Sequence, residues 1–214
     1  MDAAKCSNWC RNNLMKRIFQ FAVFSLLVAK ASAADALKLD SEGYIRDWLM
    51  LAPITLPEGE SGADALFREQ IRGEGAIRPT DGEKIKIGAK ELTWRHVTAS
   101  TNMFDFNATL TGAHDHSAGY LVTYIECETD KPEVIMAVAS NDEGRIYFNG
   151  VDIYAFSEPR TLMLDAEKGK ITLKKGINVI VFKVVNELNS WQAAMRLLDK
   201  SGKPLKDITV KMAP

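Results

Sequence analysis

The chain has 214 residues, 46% hydrophobic and 26% charged, with 27 Lys and Arg against 28 Asp and Glu. A formal charge of −1 without a basic run argues against a nucleic-acid binder, which neutralises phosphate with clustered Lys and Arg. The length suits one domain with a full-sized core.

In chain order, the first segment reads as a leader. Lys16-Arg17 precedes an apolar run from Ile18 to Ala29, too short to span a bilayer, and Ala31-Ser32-Ala33 fits the small-x-small cleavage rule. Residues 1–33 are therefore expected to be a signal peptide, with Met15 the better start, and intact mass of exported protein should begin at Ala34. That segment holds five of the Lys and Arg and one of the Asp and Glu, so the remainder carries a formal charge of −5. It also holds Cys6 and Cys10, which leaves Cys127 alone, without a disulfide partner, in the apolar run YLVTYIEC.

Residues 34–43 read as a linker, and 44–214 as a single domain. Residues 44–52 predict a first strand bounded by Pro53 and Pro57. Helical spacing near 64–72 puts Leu66, Phe67 and Ile71 on one side, with Gly73 as the stop. Lys84–Ile87 alternates as a strand, and 91–99 predicts another, with Leu92, Trp94 and His96 on one face. Phe104 and Phe106 suggest a strand fragment. Further strands are expected near 119–128, 133–140, 145–149, 151–155, 171–173, 177–186 and 191–199, with Asn149-Gly150 as a hairpin turn. The fold class is mostly β: a β-sandwich, jelly-roll or galactose-binding-like, with one short helix.

Catalytic signatures are missing. There is no Gly-x-Ser-x-Gly elbow, no His-Glu-x-x-His and no P-loop, and no context nominates a glycosidase carboxylate pair, so no catalytic residue is assigned. His114 and His116 share a strand face and, with His96, would imitate a three-ligand metal site. Gly112, Asp115 and Ser117 make a solvated loop the simpler reading, and no metal ligand is assigned. Trp191 shares parity with Ala193, Met195 and Leu197, which turns it toward the core; Trp48 and Trp94 have similar apolar neighbours.

Two polar loops remain, Asn141-Asp142-Glu143-Gly144 and Asn186-Glu187-Leu188-Asn189-Ser190. Their side chains offer donors and acceptors that match vicinal hydroxyls, and turns also use such residues to bond their own backbone. The candidate ligand-binding residues are Asn141, Asp142, Asn186, Glu187 and Asn189.

The order Ser140-Asn141-Asp142-Glu143-Gly144, Asn149-Gly150, Leu173-x-x-Gly176-x-Asn178, Asn186, Trp191, Arg196-x-x-Asp199-x-x-Gly202 resembles secreted bacterial carbohydrate-binding modules of the galactose-binding-like kind. The turn at 140–150 also resembles PA14-type domains, where two adjacent aspartates bind calcium. Here Asn141 replaces the first and Asp142 keeps the second. A hydrogen-bonded turn is the preferred account of those residues, so no cofactor is assigned, and calcium is the ion the turn would take. The resemblance implies a secreted or periplasmic, non-catalytic binder of a glycan or polysaccharide, with a glycoside hydrolase or envelope protein as partner and no membrane contact after cleavage. The alternatives are a cell-envelope interaction module that binds no sugar, and a small metal-dependent hydrolase if the histidines converge.

Overall fold

A computed structural model describes residues 36–214. The expected leader, residues 1–33, lies outside the described residues. The elements are β1 (Asp47–Thr55), α1 (Gly62–Phe67), a 3-10 turn (Glu74–Ala76), β2 (Lys84–Ile87), β3 (Lys90–Thr93), β4 (Arg95–Thr98), β5 (Phe104–Asp105), α2 (Phe106–Leu110) and β6 (Ser117–Cys127). There follow β7 (Lys131–Asn141), β8 (Glu143–Phe148), β9 (Val151–Phe156), β10 (Glu167–Leu173), β11 (Gly176–Asn186), β12 (Gln192–Leu198) and β13 (Thr209–Lys211).

The fold is a β-sandwich. A seven-stranded sheet runs β4-β1-β6-β11-β8-β9, with β13 also paired to β6, and faces a four-stranded sheet in the order β10-β7-β12-β5. All pairings are antiparallel. Strand alternation sends Ile180, Phe182 and Val184 of β11 into the core between the sheets, beside Met136, Val138, Met195 and Leu197. Val179, Val181 and Val185 point the other way, into a second core. That core is capped by Ala65, Leu66, Ile71 and Trp94, with Ile85 and Leu92 of the β2–β3 hairpin packed on it. The larger sheet is thus buried on both faces at its centre, which explains why β6 and β11 read as continuous apolar runs.

Several boundaries depart from the sequence reading. The expected strand at 91–99 breaks at Trp94, whose backbone bonds Glu83 O and Gly82 N, so β3 pairs with β2 while β4 joins β1. Trp94 is buried and His96 exposed, so the two do not share an environment. Pro53 lies within β1, at a register shift between Leu51 and Ile54 where a missing N–H is tolerated. Phe106 opens α2 instead of extending a strand, because the Asp105 carboxylate caps the helix by accepting from Ala108 N at 2.8 Å. Phe106 is stacked on Trp191, with centroids 4.3 Å apart. The helix expected near 64–72 is shorter, Gly62–Phe67, and its Phe67 is exposed. Residues 37–43, read from sequence as linker, carry a bridge from Leu37 to Val210 and a turn closed by Asp40. The Asn149-Gly150 turn joins β8 to β9 with both residues at positive φ, as a type I′ hairpin requires.

Candidate functional site

One end of the sandwich gathers the loops between α2 and β6, β7 and β8, and β11 and β12, together with the start of α1. β7 and β8 lie in different sheets, and Asn141-Asp142, joined by a cis peptide, carries the chain from one to the other. Asp142 N donates to Val185 O (3.1 Å), and Asp142 Oδ2 accepts from Glu187 N (3.0 Å). The two loops singled out in the sequence therefore lie side by side. Asn186 Nδ2 donates to His114 O (2.8 Å) and His116 N to Glu187 O (3.1 Å). Asn189 N donates to Asp115 Oδ1 (2.9 Å), and Asn107 Nδ2 to Asn189 O (2.7 Å). Glu187 Oε1 accepts from Gly62 N at 2.7 Å, which ties the start of α1 to the same cluster.

Burial divides these residues. Asn186 is fully buried and Asn141 and Asp142 nearly so, whereas Glu187 is half-buried and Leu188 and Asn189 are exposed. Only the last three can meet a large ligand directly; the others form the floor. That floor holds acceptors without donors: Asn141 Oδ1, Asn186 Oδ1 and both oxygens of Glu143. Buried polar atoms are ordinarily paired, so this concentration at one end is unusual.

Glu143 was not singled out in the sequence, although its position directly after Asn141-Asp142 and two residues before Arg145 was visible. It shares a strand face with Arg145 and Tyr147 and lies under Gly62, where a Cβ would collide with its carboxylate. Burial pushes its carboxyl up to about 7, helped by the Glu187 and Asp142 carboxylates. Burial also raises Asp142, against the pull of the Glu187, Leu188 and Arg160 backbone N–H groups.

Among the described residues, no three carboxylate, imidazole or thiol side chains converge closely enough to ligate one ion. The unpaired Asn141 and Asn186 amide oxygens and the Asp142 carboxylate at this end are all oxygen, the donor type that a hard cation takes. The histidines do not meet. His96 lies opposite Leu49 and bonds Asp47 Oδ1 at 3.0 Å, while His116 O accepts from Leu56 N. Leu49 and Leu56, the latter just past the end of β1, are seven steps apart along the chain, roughly 20 Å of extended backbone.

No family model matches this chain. No curated protein matches it either. Among solved structures, a β-glucosidase from Kluyveromyces marxianus in complex with glucose aligns over 59% of this chain and 16% of its own, at 14% identity and a TM-score of 0.37. The PA14 domain of the MpAFP antifreeze protein aligns over 79% of this chain and 65% of its own, at 8% identity and a TM-score of 0.28. The chain spans less than two thirds of either structure. The architecture described above rests on its own strand register.

A second polar cluster holds the site's outer wall. Lys183, fully buried in the middle of β11, donates to Leu66 O (3.0 Å), Arg68 O (2.6 Å) and Glu74 Oε2 (3.2 Å). The Tyr147 and Tyr120 hydroxyls also donate to the Glu74 carboxylate, Tyr147 at 2.7 Å. Burial pulls the Lys183 ammonium below its ordinary value and Glu74 opposes that. These bonds clamp residues 62–76 onto the sheet, so Gly62 is held over Glu143. A lone lysine in the apolar run INVIVFKVVN was the sequence signal for it.

Proposed function

We propose that the domain is a non-catalytic carbohydrate-binding module whose ligand meets the loop end through Glu187, Leu188 and Asn189. One observation carries the reading: three loops and the start of α1 converge on a buried floor of oxygen acceptors without donors. Acceptors of that kind suit a cation or the hydroxyl donors of a sugar. Calcium, where bound, supplies the positive charge that Asp142 and Glu143 lack, and Asn141, Asp142 and Asn186 would hold it. In this proposal the protein is exported, to the periplasm or the medium, and acts beside a glycoside hydrolase or an envelope protein.

The test is isothermal titration of residues 34–214 against plant, algal and bacterial-wall oligosaccharides, with calcium and then with chelator. Dissociation constants on the order of 0.01–1 mM are expected, because few apolar atoms displace water at the rim. Leu188→Ala combined with Asn189→Ala should abolish the heat. Binding unchanged by that double substitution would refute the site.

A second reading has its own support. Val151, Ile153, Met163 and Leu164 are exposed on edge strand β9 and the loop after it. Ile153 also lines a groove of about 200 Å³ between β9 and β10, with Met136, Val138 and Ile146. An apolar edge of this kind suits a protein-interaction module. Light scattering at rising concentration that reports self-association, with no saccharide bound, would favour it.

A further inference from the structure

We infer that Phe67 is the stacking platform of the carbohydrate site, and that the ligand is an extended oligosaccharide lying along α1 from Asn189 and Glu187 to Phe67. The inference rests on the carbohydrate reading above and deepens it.

Phe67 is 53% exposed, and it is the only exposed aromatic residue among those described. Trp48, Trp94 and Trp191 are buried, and every described tyrosine is buried or half-buried. A sugar ring can stack its C–H groups on an aromatic face, and Phe67 offers the most exposed one among the described residues. The apolar periodicity of the segment would send Phe67 inward with Leu66 and Ile71. Instead α1 ends at Phe67, and the ring lies outside the core that Leu66 and Ile71 enter.

Its surroundings fix it there. The Arg145 guanidinium lies 5.1 Å from the ring centroid, a cation–π contact, and its Nη1 approaches Leu66 O and Phe67 O at 3.4 Å. Arg145 is itself held by Asp152 Oδ2 at 2.7 and 3.0 Å, and beside it Arg68 pairs with Glu60. A single exposed apolar side chain is ordinary on a protein surface. An aromatic ring backed by a guanidinium and flanked by two ion pairs rich in hydrogen-bonding groups is a different surface, because it offers a stacking face and hydroxyl partners together.

Position supplies the rest. The first residue of α1, Gly62, donates to Glu187 in the proposed site, and the last is Phe67. Five helical steps separate them, about 8 Å along the axis. That span is longer than one sugar ring and is bridged by a short chain of them. The Lys183–Glu74 clamp holds this stretch of α1 against the sheet, so the two contact points keep a fixed separation.

The experiment uses residues 34–214 with β-1,4-linked hexasaccharides of glucose, xylose and N-acetylglucosamine and the β-1,3-linked hexasaccharide of glucose, and with the matching monosaccharides. Phe67→Ala should weaken the tightest hexasaccharide roughly tenfold or more. It should leave the thermal midpoint unchanged, since the ring lies outside the core. Phe67→Trp should retain or tighten hexasaccharide binding. If Phe67→Ala binds the hexasaccharide as the parent does, the platform is refuted and the carbohydrate reading stands. If the parent binds none of the hexasaccharides, both fall.

Discussion

Glu143 is a buried carboxyl with no hydrogen-bond donor, and its titration decides how this end of the molecule responds to pH. Its folded-state value of about 7 lies above the ordinary 4.5, so the unfolded chain releases the proton first. Its contribution to stability is complete below about pH 4.5 and is lost as pH rises through 7. Glu143→Gln, melted in chelator, should match the parent at pH 4.5 and exceed it at pH 8 by roughly 1–3 kcal/mol, the cost of an unpaired buried group. Equal midpoints at pH 8 would mean that the carboxylate finds a donor. Trp191 is fully buried and stacked on Phe106, so Trp191→Ala should cost roughly 3–5 kcal/mol in thermal melting. An unchanged midpoint would return it to the surface. Cys127 is buried, and burial pushes its thiol up. Thiol labelling should therefore be slow in the native state and fast in denaturant.

At the scale of elements, the segment from α1 through the 3-10 turn is the part most dependent on a single contact. Six helical residues do not hold themselves in water. Leu66 and Ile71 bury into the second core, and Lys183 satisfies the carbonyls of Leu66 and Arg68 while pairing with Glu74. Lys183→Ala takes away the buried counter-ion of Glu74, leaves it the two tyrosine hydroxyls and Arg145 at 3.8 Å, and should destabilise by roughly 3–5 kcal/mol. Replacing Lys183 and Glu74 together by apolar residues of similar size should recover most of that loss. Hydrogen exchange gives the local view: amides of 62–76 should lose protection in Lys183→Ala before those of β6 and β11. Simultaneous loss everywhere would show that the segment is not a separable clamp. The remaining elements were legible where alternation and turns coincide. Lys84–Ile87, the β8–β9 hairpin and β12 fall within a few residues of expectation. The β3–β4 break at Trp94 was not, because a strand that changes partners keeps its alternation. Nor was α2, whose start depends on the Asp105 cap outcompeting an extended Phe106.

For the whole molecule, the sequence by itself determined the sandwich. Alternating strands, an Asn-Gly hairpin and long apolar runs leave few other ways to bury this much apolar surface, and among the described residues the one cysteine, Cys127, is free, so this core holds without an internal disulfide. Reductant should accordingly leave the thermal midpoint of residues 34–214 unchanged. The sequence also nominated the two polar loops, since their residue types suit turns and hydroxyl ligands alike. What it left open was depth. Asn141, Asp142 and Asn186 look like surface turn residues in one dimension, yet the crossing between sheets buries them and leaves Glu187, Leu188 and Asn189 outside. Glu143 lies in a stretch whose periodicity carries no mark of charge burial, and the lone lysine of INVIVFKVVN marks a buried charge without naming its partner Glu74; only the packing of 62–76 over the larger sheet encloses both. Phe67 is the converse case, an apolar residue in helical register that the end of α1 leaves in solvent. Periodicity reports which face a side chain takes, and the tertiary structure alone decides whether anything covers that face.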